Sequence, residues 1–231
     1  MTNQETLTLS LSEALLLLAL HDEKGSIVFR ASTAIDYAVA GAGILELILD
    51  GQVELADKKV RIVEAATANS PLKTAILEQL AKSRKVRKLD YWVMNLPHKI
   101  KHIKSLITDQ LTDKGILRED EKKVLWIFSI KRYPTVDGSP ESQLRRRIHD
   151  IVLGNDAAED WEAALLGLVK ACDLINDLFE REDRRVAKKR IKDLQSHTQI
   201  GKAVENAVGA ATAAVIAATT AAVAASAAAS G

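Results

Sequence analysis

The first strong hydrophobic pattern in the chain runs from Leu9 to Leu20, where apolar residues occupy nearly every side of a predicted helix. Ser10 and Glu13 have the spacing of a capping box, in which a hydroxyl and a carboxylate satisfy backbone N–H groups of the first turn. A helix that is apolar all round is buried. The pattern therefore predicts a core helix, which is followed by a turn that ends at Gly25.

A helix and a β-hairpin are predicted next. We expect a short strand over residues 26–29 and then a helix from about Thr33 to Leu49. Polar and apolar residues alternate over 52–55 and 60–63, and this period of two predicts the strands of a hairpin. A helix followed by such a hairpin is typical of a winged-helix unit.

The same order is predicted a second time. Four apolar residues recur at spacings of three and four, which predicts a helix that begins at Pro97. They are Ile100, Ile103, Ile107 and Leu111. We expect the strands of a second hairpin at 115–118 and 124–130, and the latter is expected to be central or covered on both faces because it has few polar residues. Five further helices are predicted. One begins at Ser70-Pro71, one covers about Arg87–Asn95, and one carries Arg145, Arg146 and Arg147. The last two are a helix that contains Cys172 and one that runs from about Asp183 to Leu194.

The C-terminal tail, residues 206–231, has no charged residue and consists mostly of alanine. Its four larger aliphatic residues recur at about seven-residue spacing and predict one narrow apolar face; they are Val208, Val215, Ile216 and Val223. Alanine and threonine contribute little transfer energy to a membrane span. We therefore expect a helix that docks on the body and frays at its end. The predicted organisation is a flexible N-terminus (1–8), a helical domain (9–205) and this tail.

Composition agrees with a mainly α fold: a single helical domain with a central helix bundle and two small β-hairpins. Aromatic residues make up only 4% of the 231 residues, while aliphatic residues are abundant. The single cysteine, Cys172, lies in an apolar run and is predicted to be a buried structural thiol. One cysteine forms no internal disulfide, and the N-terminus lacks the features of a secretory signal. We expect a cytoplasmic protein.

The net charge of the chain is only +1, but positive charge is concentrated in one segment. Between Lys82 and Lys104 there are eight Lys or Arg residues and one acid, Asp90. A phosphomonoester needs several converging cationic donors at a solvent-open surface. In a helix that begins at Pro97, Lys101 and Lys104 lie on one edge and Lys99 on the other side. The pattern favours contact with an anionic membrane, and a solvated basic surface with no ligand remains open.

Other classes of function find less support in the sequence. The helix over 33–49 would be the recognition helix of a nucleic-acid-binding winged helix, but it has acids and no Lys or Arg. His98 and His102 are one helical turn apart, yet cations stand where a ligand carboxylate is expected. The chain has no Gly-rich phosphate loop and no Gly-x-Ser-x-Gly. We assign no catalytic residue, metal or cofactor, and a protein-interaction module without a lipid ligand stays an alternative.

Six segments of the chain stand in a fixed order: Leu9–Leu20, Asp22–Gly25, Gly43–Leu55, Leu111–Leu117, Tyr133-Pro134 and Ala164–Val169. No single segment is specific, but in this order they resemble the Golgi phosphoprotein 3 family. The resemblance covers most of the chain, from about Leu9 to Leu194. The resemblance implies a peripheral membrane role without catalysis and recognition of phosphatidylinositol 4-phosphate in a shallow basic pocket. It also implies membrane-protein cargo in some members. The uncharged tail suggests a bacterial member.

The resemblance also implies site residues. Lys101 and Lys104 align with paired head-group arginines of the family, ten and seven residues before Leu111. Lysine keeps the charge but loses the bidentate fork, which predicts lower phosphate specificity. The family's tryptophan is replaced by Arg30 or Ala31, and its third arginine by Ala40.

Further contacts are expected around this pair. Arg30 is expected to supply the missing charge, with Lys99, Arg87 and Lys88 as neighbouring bases. The family's lipid-dipping hairpin aligns with 154–160, which is short and acidic, so Trp161 is the nearest interfacial anchor. A half-buried role for Trp161 is an equal alternative.

Overall fold

A computed structural model describes residues 9–21, 24–64, 66–124, 128–154, 156–197 and 202–229. Within those residues the fold is mainly helical, with ten helices and two antiparallel hairpins, and this confirms the predicted fold class. The helices are α1 (Leu11–Leu18), α2 (Ile35–Leu49), α3 (Pro71–Ala81), α4 (Leu89–Lys99), α5 (Ser105–Asp113), α6 (Ser139–Val152), α7 (Asp160–Ala171), α8 (Ile175–Leu178), α9 (Arg184–His197) and α10 (Lys202–Ala229). The strands are β1 (Val53–Ala56), β2 (Lys59–Ile62), β3 (Asp120–Val124) and β4 (Phe128–Arg132).

The predicted core helix, α1, is confirmed. Every residue of α1 is buried, and Ser10 and Glu13 form the reciprocal capping box. Gly25 ends the following turn with φ 57°, while the predicted turn residues 22 and 23 lie outside the described residues, as does the N-terminus, 1–8. The predicted strand over 26–29 is wrong: Ile27 makes one bridge to Leu20, and a 3-10 turn covers Phe29–Ala31.

Helix α2 is the centre of the bundle, with α1, α3, α4, α7 and α10 packed around it. Its middle consists of small residues, Ala38 to Gly43 apart from Val39, and all of them are buried. A Cβ added at Gly43 would overlap Ile76 and lie 2.9 Å from Leu72 Cδ2. One added at Gly41 would lie 3.5 Å from Val215 Cγ2, an ordinary contact. Small side chains on α2 thus set how closely α3 and α10 approach.

Two buried carboxylates join α1 to its neighbours. The Ser12 backbone N–H and hydroxyl donate to Glu46 Oε1 on α2, at 2.7 and 2.8 Å. Lys114 Nζ, just after α5, lies 2.7 Å from Glu13 Oε2. Burial raises the pKa of Glu46 above its ordinary value, although the two bonds from Ser12 oppose the shift. The bundle therefore holds these helices in register through specific polar contacts as well as apolar packing.

The first predicted hairpin is confirmed, with Val53 opposite Ile62 and Ala56 opposite Lys59. The second hairpin begins later than predicted, because residues 115–118 contribute only a bridge between Leu117 and Thr135. Among the described residues its sheet has two strands, β3 and β4, so the strand predicted over 124–130 is present as β4 (Phe128–Arg132) but is not central. Residues 125–127, which join β3 to β4, lie outside the described residues.

The predicted helix start at Pro97 is wrong. Pro97 lies in the last turn of α4, where its missing N–H and its ring weaken the helix, and α4 ends two residues later. The chain then turns over residues 100–104, with His102 at φ 53°, and α5 begins at Ser105. The apolar residues 100, 103, 107 and 111 are all buried as expected, but they belong to a turn and a separate helix.

The predicted C-terminal helix is present as α10 and packs against α2, α4 and α7. Its buried face is made mainly of alanine, namely Ala211, Ala214 and Ala218 with Val215. The predicted face of larger aliphatic residues is wrong, because Ile216 and Val223 are exposed, while the side chain of Val208 lies outside the described residues. The helix also continues to Ala229 where fraying was predicted.

By length and composition, the stretch Ala210–Ala228 of α10 would suffice to cross a membrane. Its mean hydropathy is 1.7, and 28% of the stretch is buried within the protein. Core helices of soluble proteins can be equally long and apolar, and α10 packs against α2, α4, α7 and α9. Docking on the body therefore accounts for part of its apolar length.

Replacing Gly43 and Gly41 with alanine tests the close packing around α2. Both changes gain the same helix propensity, but only the Cβ at position 43 overlaps its neighbours. Gly43→Ala should therefore be less stable than Gly41→Ala by about 1–3 kcal/mol, the usual cost of overpacking a core. Urea unfolding of the two variants gives the comparison. Equal stabilities would contradict the packing described for α3.

Glu46→Gln tests the buried carboxylate. The folded state holds the Glu46 proton more tightly than the unfolded chain does, since its pKa is raised above 4.5. The stability that this proton contributes is therefore complete below pH 4.5 and is lost as the pH rises through the raised pKa. Urea midpoints measured from pH 4 to 7 should fall for the wild type relative to Glu46→Gln. The exposed control Glu64→Gln should follow the wild type, and a pH-independent difference for Glu46→Gln would refute the assignment.

Candidate functional site

The candidate site lies where the turn between α4 and α5 meets the N-terminal end of α2. Lys101 is exposed in this turn, and Lys104 is the residue before α5. Lys104 Nζ lies 3.1 Å from Asp36 Oδ1 in the first turn of α2. The prediction that Lys101 and Lys104 share one edge of a helix is wrong, because α4 ends before Lys101. Both belong instead to the turn between α4 and α5, three residues apart in the chain.

Arg30 precedes the same end of α2 in the chain. It lies in the 3-10 turn that precedes α2, and its Nη1 is 3.4 Å from Asp173 Oδ2, with both side chains 54% exposed. Phe29, its neighbour in the turn, is 90% exposed. Sequence reasoning missed Phe29, because nothing in the local pattern distinguishes an exposed aromatic residue from a core one. Two of the predicted cations are thus already paired with carboxylates.

Lys101 differs from those two. Within the part of the chain that the structure describes, it forms no ion pair. It is also next to His102, whose left-handed backbone conformation produces the sharp turn. An incoming anion can therefore bind Lys101 without displacing a protein carboxylate, whereas binding Lys104 requires competition with Asp36.

The other predicted bases divide between the two ends of α4. Lys99 is its last residue, next to the turn, whereas Arg87 and Lys88 precede its first residue. At 1.5 Å per residue, the 11 residues of α4 separate these ends by about 16 Å. The Arg87 guanidinium lies 4.8 Å from the centroid of the Tyr91 ring. Arg87 and Lys88 therefore do not converge with Lys101 and Lys104 on one phosphate.

Trp161 lies in the first turn of α7, half-buried and packed on the core. It lines an open groove of about 1110 Å³ with Leu49, Arg190 and Leu194. The preceding residues 156–159 form a connection without strands, so the lipid-dipping hairpin aligned there is not present. In this chain the hairpin that follows α5 is β3–β4, and its joining sequence, Leu125-Trp126-Ile127, is apolar.

One of the two arginines in the groove beside Trp161, Arg147, is held by the protein itself. Arg147 Nε lies 2.6 Å from Glu162 Oε1, and its Nη1 lies 2.9 Å from Asp156 Oδ2. Hydrogen bonding to Glu162 raises the pKa of Arg147 further above its ordinary value. The hydrogen-bonding groups of Arg147 are therefore used within the α6–α7 connection, so Arg147 is not a candidate to bind a phosphate.

Elsewhere in the described residues there are few candidates for a nucleophile or a metal ligand. Cys172 is buried after α7, and burial raises its pKa to about 12, which agrees with the predicted structural thiol. His98 is in the last turn of α4, but His102 is beyond its end, so the two are not one helical turn apart. Among the described residues, no group of three or more His, Cys, Asp or Glu side chains is placed to hold a metal ion.

These features define a helical domain with two small hairpins and a solvent-open basic surface beside its central helix. The family model for Golgi phosphoprotein 3 (GPP34) matches residues 11–219. That match covers most of the chain, including the first part of α10, and the chain therefore belongs to the Golgi phosphoprotein 3 family.

Two relatives carry the name vacuolar protein sorting-associated protein 74. The protein from Eremothecium gossypii is 25% identical over 167 residues, and that from Schizosaccharomyces pombe is 24% identical over 164 residues. These stretches cover 63% and 62% of this chain and 50% and 48% of the relatives. The chain thus spans about half the length of the curated relatives it matches. Neither relative is bacterial, and nothing supports the origin suggested by the tail.

Asp36→Asn tests whether Asp36 competes with anions for Lys104. Removing one carboxylate 3.1 Å from Lys104 Nζ frees that cation. One additional free charge near an anionic surface should raise binding to vesicles that contain phosphatidylserine about fivefold. Vesicle co-sedimentation measures the change, with Asp109→Asn, an exposed acid on α5, as the control. Unchanged or weaker binding by Asp36→Asn would show that Lys104 does not face the lipid.

Proposed function

We propose that this protein is a non-catalytic peripheral membrane adaptor that binds anionic phospholipid through a turn cluster. The turn cluster consists of Lys99, Lys101 and Lys104 together with Arg30. The observation that carries the proposal is Lys101, exposed and without an ion pair in the described structure, three residues from Lys104. Membership of the Golgi phosphoprotein 3 family supports it.

The physical basis is electrostatic. Each Lys or Arg held near an anionic surface contributes roughly 1 kcal/mol of attraction, so a few bases suffice for reversible association. The turn cluster lies beside the N-terminal end of α2, where the helix dipole adds positive potential. Phe29, exposed in the same turn as Arg30, offers an aromatic ring to the interface between head groups and lipid tails.

Selectivity for phosphatidylinositol 4-phosphate is the finer part of the proposal. The family resemblance implies this head group, and Lys101 and Lys104 occupy the positions of its paired arginines. Ala40 is buried in α2 and supplies no charge, while Arg30 is shared with Asp173. Since lysine also lacks the bidentate fork, we expect only a modest preference for this phosphoinositide over other anionic lipids.

The adaptor role places the protein on the cytoplasmic side of a membrane. A peripheral protein with a lipid-binding face leaves its other surfaces open to protein partners. We therefore propose membrane-protein cargo as the second class of ligand, with self-association of the chain as a further possibility. Binding of this kind needs no catalytic residue and no cofactor.

Charge reversal in the turn cluster tests the proposal. Lys101→Glu with Lys104→Glu should abolish co-sedimentation with vesicles that contain phosphatidylinositol 4-phosphate, because four units of charge are lost at the lipid contact. Lys188→Glu with Lys189→Glu makes the same charge change on exposed residues of α9 and should leave binding nearly intact. Equal loss in both variants would mean that only total charge matters.

The lipid composition separates the remaining alternatives. The wild type is compared on neutral vesicles, on vesicles with phosphatidylserine, and on vesicles with phosphatidylinositol 4-phosphate at matched charge. A preference for the phosphoinositide supports a surviving head-group pocket, and equal binding to both anionic sets supports a nonspecific basic surface. Binding to none of them would contradict the proposal and favour a protein-interaction module.

A further inference from the structure

A second group of bases lies at the far end of α4, where the chain runs beside the first hairpin. The Val60 N–H donates to the Arg87 carbonyl and the Leu89 N–H to the Lys58 carbonyl, each at 2.9 Å. Lys59 and Lys88 are partners in an isolated antiparallel bridge. We name these exposed bases the hairpin cluster: Lys58, Lys59, Arg84, Lys85, Arg87 and Lys88. Sequence reasoning missed it because residues 58–60 and 87–89 meet only in the fold.

Two exposed acids, Asp57 and Asp90, stand close to the hairpin cluster in the chain, but in the described structure they do not pair with it. None of its six members forms an ion pair within the described residues, although the flanking bases do, Arg61 with Glu54 and Lys82 with Glu78. Lys59 and Lys88 are held directly opposite each other, and like charges in that position destabilise a strand pair. Such an arrangement becomes favourable when an external anionic surface neutralises it.

One base of each cluster lies on the same side of α4. Lys88, the N-cap, and Lys99, the last residue, are 11 residues apart, which at 100° per residue brings them to within about 20° of each other around the helix. By the same rotation, half-buried Tyr91 lies roughly 60–80° from that line, and buried Trp92 lies roughly 20–40° from it on the other flank. The line between the two lysines therefore follows the edge of the exposed face of α4, and a flat surface placed there meets a cation at each end.

We propose that the hairpin cluster is a second contact with the anionic bilayer, so that α4 lies along the membrane surface. The inference rests on the function proposed above and extends it, because it fixes the orientation of the protein on the lipid. Val86, exposed among these bases, adds apolar atoms at the interface. Two linked contacts bind more tightly than either alone, since the second forms at a high effective concentration.

Charge removal tests the second contact. Arg84→Gln with Lys85→Gln and Lys88→Gln should lower partition onto phosphatidylserine vesicles about 100-fold, from roughly fivefold for each base. Arg185→Gln with Lys188→Gln and Lys189→Gln, on exposed α9, is the matched control and should change it less than threefold. Circular dichroism checks that each variant is folded. A drop below threefold for the hairpin variant would overturn the inference while leaving the turn cluster in place.

A fluorescent label gives the orientation directly. Val86→Cys and Val186→Cys introduce cysteines at matched sites, 53% and 55% exposed in the native protein, and Cys172 stays unlabelled because it is buried. A polarity-sensitive dye at position 86 should shift to the blue and be quenched by lipid-borne quencher on anionic vesicles, while one at position 186 should not.

The outcomes separate the two proposals. Vesicle binding without a response at position 86 would overturn the second contact alone. Absence of binding to anionic vesicles by the wild type would overturn the proposed function and this inference together. A response of the position 86 label to a short DNA duplex or an acidic peptide, but not to vesicles, would assign the hairpin cluster to that partner and contradict the inference.

Discussion

The close approach of neighbouring helices to α2 is the constraint on which the rest of the structure depends. Five helices pack against α2, and its run of alanine and glycine lets them do so without a gap. The same helix carries Asp36 at one end, where it pairs with Lys104, and Glu46 near the other, where it accepts two bonds from Ser12. Packing at the centre thus positions the polar contacts at both ends, including the turn that carries Lys101.

The site that results is electrostatic, and two of its four cations are already paired, which suits the reversible membrane association that we propose. Lys104 and Arg30 are each partly neutralised by a carboxylate, and Lys101 is the cation that an anion reaches first. A pocket of converging, unpaired arginines would bind one head group tightly. A lysine and an arginine that are each shared with an aspartate instead favour contact with a surface of many charges, where several weak attractions add. The hairpin cluster extends this contact along α4 in our account.

Local signals in the sequence predicted much of the fold but only part of the site. Three signals act over only a few residues: the capping box at Ser10, the alternation around Asp57 and the proline after Ser70. Each predicts an element that the structure contains, namely α1, the β1–β2 hairpin and α3. The turn after α4 contains no glycine that would mark it, and the sequence therefore predicts a helix start at Pro97. In the structure the helix ends at Lys99 instead. The two basic clusters could not be separated beforehand, because their distance depends on where α4 ends and on the pairing of β2 with residues 87–89.

The central claim is that the turn beside α2 is the contact with anionic phospholipid head groups. A titration of isotope-labelled protein with soluble glycerophosphoinositol 4-phosphate, followed by amide NMR spectra, tests it most directly. The account predicts saturable shifts at Lys101, Lys104 and the first residues of α2, with little change at α9. Shifts confined to other surfaces, or none at millimolar head group, would contradict it.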